Sequence, residues 1–242
     1  MTNNRIRILL AVAVIFAAVL TLTACQDKKT EYPRVEINAE NHDEPSFIAS
    51  PLSGYYETDS GSDELYSGFS EYLKDKKGEF AIKDEQVRKA AAEALENCDV
   101  YVHIPSDGYK TVRHRILVYD GGKTFIAETL FVPSGYEAKD EAIPYQDCFK
   151  IMSEPENTVY AQTSETFKVE KEIDGKAVTF YGRYDESGKE QVTSISFDTD
   201  SGRVLIVPPE EFIHDVDYYC NELDRGFYNV SSVNICENNK SN

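Results

Sequence analysis

Between residues 98 and 207 most of the sequence alternates apolar and polar side chains, and this period of two restricts the fold more than any other feature. Such alternation is typical of β-strands with one buried face. The best-specified part is a four-strand meander with turns at Asp174-Gly175, residues 186–189 and residues 199–202. Pairing through these turns gives the sheet an apolar face that carries Phe167, Val169, Val178, Phe180, Ile195, Phe197, Val204 and Ile206. The opposite face receives Lys168, Glu170, Glu172, Thr179, Thr193, Ser194 and Ser196. The pattern predicts an antiparallel sheet that is covered on one side only.

A second strand signal is the hairpin closed by Asp120-Gly121-Gly122. With Gly121-Gly122 as its loop, Tyr119 pairs with Thr124 and Arg115 pairs with Glu128. Opposite charges on neighbouring strands support this register. The register predicts a shared apolar face for Val112, Ile116, Val118, Phe125, Ala127 and Phe131.

His114 lies on this same predicted face, between Val112 and Ile116. Two interpretations remain for it. It either points into a ligand cavity, where it can also serve as a base, or it is a core histidine that Thr129 satisfies across the strand.

Three stretches carry helical periodicity. Residues 63–76 space apolar side chains at helical intervals, and residues 84–97 form one apolar stripe with Asp84 as a candidate N-cap. A third helix is predicted over residues 209–223, after a pair of prolines. The order of helices, antiparallel strands and a final helix predicts an α+β fold, with two or three helices covering the apolar face of a meander sheet.

The N-terminus has the organisation of an export signal. Arg5 and Arg7 precede an uncharged run over residues 8–22, which as a helix spans only about 22 Å and is short for a transmembrane segment. Leu22-Thr23-Ala24-Cys25 follows and resembles the lipobox of bacterial lipoproteins. The resemblance implies that Cys25 is diacylated and that the chain is cleaved before it. An ordinary signal peptide and an uncleaved anchor are the alternatives.

This resemblance sets the expected domain organisation. Residues 1–24 are a lipoprotein signal peptide, residues 25–46 a flexible polar tether, and residues 47–242 a single α+β domain. We therefore expect a protein anchored to the cell membrane through lipid on Cys25, on the extracytoplasmic face. Two or three acyl chains suffice for such an anchor.

The charge balance limits the partners. The whole chain has a net charge of −18, and loss of Arg5 and Arg7 with the signal leaves 23 basic and 43 acidic side chains. So acidic a domain is repelled by nucleic-acid phosphates and by anionic lipid headgroups. We expect no nucleic-acid partner and no electrostatic binding to the membrane.

Four cysteines remain after Cys25: Cys98, Cys148, Cys220 and Cys236. An exported chain with an even number of cysteines allows disulfides, although buried thiols are the alternative. Three pairings are possible. Cys220 with Cys236 is the easiest local closure, and it leaves Cys98 with Cys148.

Motifs of catalysis are absent from the sequence. It has no G-x-S-x-G elbow, no H-E-x-x-H helix, no glycine-rich phosphate loop and no zinc spacing. We therefore expect no enzyme, no metal and no cofactor.

The order of elements in an exported lipoprotein is similar to that of the LolA-like half-barrels. The resemblance implies a curved sheet and a helical lid that enclose a cavity for acyl chains. Its expected lining residues are His114, Phe125, Phe131, Phe180 and Phe197. Two functions remain open: a lipoprotein that binds a lipid or another hydrophobic molecule, and a cell-surface interaction or structural module with a filled core.

Overall fold

The structure is a computed structural model, and it describes residues 35–36, 52–75, 82–137, 143–154, 165–200, 202–224 and 231–235. The chain divides into two units, residues 1–33 and 34–242, and every described residue belongs to the second. Cys25, the export signal and most of the expected tether therefore lie outside the described residues. Within the described ranges, no helix has both the length and the apolar character needed to cross a bilayer.

The fold is α+β, as the sequence predicts, and it is built on an antiparallel sheet. Its strands are β1 (Val35–Glu36), β2 (Leu52–Thr58), β4 (Tyr109–Tyr119), β5 (Thr124–Pro133), β6 (Phe149–Glu154), β7 (Phe167–Ile173), β8 (Lys176–Tyr184), β9 (Glu190–Thr199) and β10 (Gly202–Val207). Their order across the sheet is β1-β7-β8-β9-β10-β6-β5-β4-β2. The remaining described strands, β3 (Tyr101–Ile104) and β11 (Ser231–Asn234), form a separate two-stranded sheet.

The predicted meander of β7 to β10 is confirmed in its register. Val169 pairs with Phe180, and Phe180 pairs with Ile195, so all eight residues expected on the apolar face are buried. Asp174 and Gly175 both have positive φ at the first turn. Two left-handed residues form the tight turn that the right-handed twist of a hairpin favours.

The hairpin of β4 and β5 has the predicted pairs Tyr119 with Thr124 and Arg115 with Glu128. One residue departs from the prediction. A bulge at Val112 shifts the register, and its side chain packs with Leu130 on the opposite face of the sheet, not with Ile116 on the apolar face. A bulge adds one residue to a strand, and the side chain of that residue can then point to the other face of the sheet.

Helices α1 (Ser62–Asp75) and α2 (Glu85–Leu95) cover part of the apolar face. Asp84 caps α2 as predicted and accepts hydrogen bonds from two backbone amides. Their buried side chains pack on β4 and β5 in one cluster that includes Leu65, Phe69, Ala91, Leu95, Ile116, Val118, Phe125 and Ala127.

The third helix is shorter than predicted. Residues 210–212 form a 3-10 turn, and α3 (Val216–Glu222) begins only after Asp215. The Asp215 carboxylate accepts a hydrogen bond from the Tyr218 backbone amide at 2.9 Å, which fixes the start of the helix there.

The opposite face also carries buried side chains in its centre, which the predicted alternation does not include. Leu117, Ile126, Met152 and Leu205 form a buried apolar cluster on it. Ser194 on β9 is fully buried and donates a hydrogen bond to Glu165 at 3.1 Å. Central strands such as β5 carry apolar residues on both faces, and simple alternation does not reveal this.

Two further details are not part of the sequence prediction. Val35–Glu36, inside the expected tether, pairs with β7 as an edge strand. Tyr101–Ile104 pairs with β11 and not with the main sheet.

Candidate functional site: an aromatic groove beside helix α3

The candidate site is a groove at one end of the sheet, where the start of β4, the end of β5 and the start of β6 meet α3. Its cavity volume is about 400 Å³. Five of its lining residues are aromatic: Tyr109, Phe149, Phe212, Tyr218 and Tyr219. The others are Ser106, Gly108, Pro133 and Glu222. The volume is near the lower end of the range of roughly 300–1,000 Å³ that is usual for small-molecule pockets.

The turn between β3 and β4 forms one rim of the groove. The Tyr109 amide donates a hydrogen bond to the Ser106 carbonyl at 3.0 Å, which closes the turn. The Ser134 amide donates to the Gly108 carbonyl at 3.1 Å and ties the turn to the end of β5. Because Gly108 has no side chain and an added Cβ would meet no atom within 4 Å, this rim is open.

Aromatic rings from β4 and β6 form one wall of the groove. The rings of Tyr109 and Phe149 lie 6.2 Å apart at 74°, an edge-to-face arrangement. Phe212, from the 3-10 turn, lies 5.2 Å from Phe149. Behind this wall Phe131 stacks on Phe149 at 5.3 Å and 25°. The rings are thus held by a second layer of aromatic packing.

Helix α3 and the residues before it form the other wall. Tyr218 is partly exposed, and the His214 ring stacks on it at 3.8 Å and 28°. Tyr219 is buried, and its hydroxyl donates a hydrogen bond to the Phe212 carbonyl. The backbone carbonyl of His214 accepts from the Val192 amide at 2.8 Å, which fastens the segment to β9.

Glu222 gives the groove its electrostatic character. The Tyr109 hydroxyl donates a hydrogen bond to Glu222 Oε2 at 3.3 Å. Burial, and next the nearby Glu222 carboxylate, raise the pKa of Tyr109 far above its ordinary value. Burial likewise raises the pKa of Tyr219, with further contributions from Tyr218, Tyr109 and Glu222. Both phenols therefore stay protonated at neutral pH. The described residues that line the groove include one carboxylate and no basic side chain.

The residues expected to line a pocket lie elsewhere. His114 is buried, and its Nδ1 lies 3.1 Å from Thr129 Oγ1, the contact that the core interpretation requires. Burial lowers the pKa of His114. Phe125, Phe180 and Phe197 are buried in the sheet's apolar face and do not line this groove.

Phe131 is the one expected lining residue that the structure brings next to the groove, because it supports Phe149 from behind. Whether His114 and the four phenylalanines bind a ligand stays a prediction.

Among the described cysteines, Cys148 and Cys220 carry thiols, and the Cys148 thiol donates a hydrogen bond to the Pro144 carbonyl at 3.4 Å. Cys98 packs against the helix cluster on the apolar face, whereas Cys148 is buried with Leu130 on the opposite face. The sheet therefore separates that expected pair. Cys236, the other expected partner of Cys220, lies outside the described residues.

A second polar cluster lies on the opposite face of the sheet. Arg115 Nη1 lies 3.0 Å from Glu128 Oε2, and the Arg115 guanidinium also lies over the rings of Tyr55 and Tyr145, at 4.6 Å and 5.0 Å. The Tyr145 hydroxyl donates to Glu128 Oε1 at 3.0 Å. Burial raises the pKa of Glu128, although Arg115 acts in the opposite direction. The charges pair as in a structural ion pair, although Arg115 Nε and Glu128 Oε2 have no hydrogen-bond partner of ordinary geometry among the described residues.

The groove was missed in the sequence because its parts are far apart in the chain. Tyr109 and Glu222 are separated by 113 positions. The available signal was weak: the chain has 16 tyrosines and no tryptophan, and two tyrosines are adjacent in α3.

Chemically, the groove offers aromatic faces, buried phenols and one carboxylate. Among the residues that the structure describes, no group of three or more histidine, cysteine or acidic side chains is arranged to hold a metal ion.

Comparisons of the chain with protein-family models, with curated proteins and with solved structures found no match.

Proposed function

We propose that the protein is a lipid-anchored, extracytoplasmic binding protein that holds a small, largely apolar molecule in the aromatic groove beside α3. The observation that carries the proposal is the groove itself, a concave site with five aromatic side chains. Aromatic walls with a few polar groups are the usual composition of a small-molecule site.

The packing behind the groove supports this function. The walls are held by the Phe131–Phe149 stack, by the Tyr219 hydrogen bond to the Phe212 carbonyl and by the Asp215 cap of α3. Such a site is formed before the ligand arrives, so binding needs little ordering of side chains. The size of the groove favours a compact molecule over a bundle of acyl chains.

The N-terminal sequence supports the location. Leu22-Thr23-Ala24-Cys25 has the pattern of a lipobox, and a lipid on Cys25 leaves the domain outside the cytoplasm. A binding function suits such a position, because a tethered protein can capture molecules that reach the cell surface. The alternative is an interaction module that uses the same location without a small ligand.

The test is a groove-blocking substitution. Gly108→Phe adds a ring at the open rim of the groove, where a Cβ meets no atom within 4 Å. Gly61→Phe is a matched control, since its Cβ is equally unobstructed and Gly61 does not line the groove. The probe is N-phenyl-1-naphthylamine, a neutral compound whose fluorescence rises in apolar sites.

We expect the wild-type domain and Gly61→Phe to bind this probe, and Gly108→Phe to bind it at least about tenfold more weakly. Equal binding by the two variants, or no binding by the wild-type domain, would contradict the proposal. The second result would favour the interaction module.

A further inference from the structure

We infer that the ligand of the aromatic groove is an organic cation, with its positive group held between the tyrosine rings and Glu222. This inference rests on the proposed function, and it names the chemical class of the ligand.

The first support is the density of aromatic rings. A cation within about 6 Å of a ring centroid is attracted by the negative face of the ring, and several rings around one site recognise alkylammonium groups. The ring centroids of the Tyr109–Phe149 and Phe149–Phe212 pairs lie 6.2 Å and 5.2 Å apart. The rings of Tyr218 and Tyr219, which also line the groove, lie 5.2 Å apart.

The second support is the position of the carboxylate. Glu222 lines the groove, and its Oε2 accepts the hydrogen bond from the Tyr109 hydroxyl. The Tyr218 and Tyr219 side chains line the same groove as this carboxylate. A carboxylate in the lining of a partly buried groove favours a cation and repels an anion.

The third support is the charge of the whole chain. A net charge of −18 gives the protein a negative field that attracts cations and slows the approach of anions. A fatty acid, whose carboxylate would meet Glu222, fits this groove poorly. A neutral aromatic molecule fits the walls but gains nothing from the carboxylate.

The experiment compares two probes of the same shape. Choline carries a trimethylammonium group, and 3,3-dimethylbutan-1-ol replaces its nitrogen by a neutral carbon. Each is titrated into the full-length protein after removal of co-purified ligands, and its affinity is measured by displacement of N-phenyl-1-naphthylamine. We expect choline to bind at least about tenfold more tightly than the alcohol, and its affinity to fall as salt is added.

Two variants assign this preference to the groove. Glu222→Gln is expected to remove most of the advantage of choline over the alcohol, each affinity being calculated with the affinity of that variant for the naphthylamine. Glu210→Gln makes the same change of charge at an exposed residue outside the groove, and it should keep the preference. A normal melting curve for Glu222→Gln shows that the variant is folded.

The outcomes separate the two proposals. Equal affinities for choline and the alcohol, with naphthylamine binding still blocked by Gly108→Phe, would overturn the cation inference and leave the binding function standing. A choline preference that survives in Glu222→Gln would also overturn it. If neither the naphthylamine nor choline binds, both proposals fail.

Discussion

At the scale of single residues, His103 shows how burial alone controls a titratable group. The side chain lies on β3, is 3 % exposed, and has no hydrogen-bond partner for either ring nitrogen among the described residues. Desolvation lowers its pKa to about 4. A charged imidazole loses its hydration there without compensation, so the folded protein holds His103 neutral.

This makes stability depend on pH in a defined window. The unfolded chain binds a proton at His103 near pH 6.5, whereas the folded chain binds it near pH 4. The free energy of unfolding is therefore unaffected by this residue above about pH 6.5. It falls by up to about 3 kcal/mol as the pH decreases to about 4, because the unfolded chain then binds the proton more readily.

Urea denaturation at pH 7 and pH 4.5 measures this loss. His103→Leu keeps the size of an apolar core residue and removes the proton site, so its stability should change less between the two pH values. The same pH dependence in the variant and in the wild type would show that another group is responsible.

At the scale of secondary-structure elements, the sequence predicts local pairing better than packing between distant segments. The register of β7 to β10 follows from its short turns, because a tight turn such as Asp174-Gly175 leaves only one way to align the neighbouring strands. The bulge at Val112 carries no comparable signal. The first residue of α3 depends on which of several candidate acids caps it, and Asp215 does so in the folded chain.

The groove could not be predicted for a related reason. Alternation assigns a side chain to one face of a strand, but it does not say which strand ends meet or which helix lies over them. Tyr109, Phe149 and Tyr218 come together only through the strand order β6-β5-β4 and the docking of α3. Residues such as Phe180, by contrast, were placed correctly because the face of a strand is a local property.

The meander allows a direct stability test. Phe180 is fully buried among Val169 and Ile195, so Phe180→Ala should lower the free energy of unfolding by about 3–5 kcal/mol. Glu170 lies on the opposite face and its side chain is 69 % exposed, so Glu170→Ala should cost under about 0.5 kcal/mol. Denaturant melts of both variants provide the measurement. Similar losses would mean that the two faces of the sheet are assigned wrongly.

At the scale of the whole molecule, the chain combines a strongly acidic domain with a single candidate for membrane attachment. Because an acidic surface is repelled by anionic headgroups, charge does not hold it on a membrane, and the proposed anchor is a lipid on Cys25. A chain that begins at residue 25, with 43 acidic side chains against 23 basic ones, is expected to leave the membrane when it carries no lipid.

Cys25→Ser tests this directly. The substitution removes the sulfur that a lipobox cysteine uses for acylation, so we expect no incorporation of a palmitate analogue during metabolic labelling and no cleavage after Ala24. The unprocessed chain should migrate as a larger species on a denaturing gel. Cys98→Ser removes a different cysteine and should leave both label and processing unchanged. If Cys25→Ser and the wild type were labelled equally, the lipid would be attached to another residue. If neither protein were labelled, an uncleaved N-terminal segment would replace the lipid as the proposed anchor.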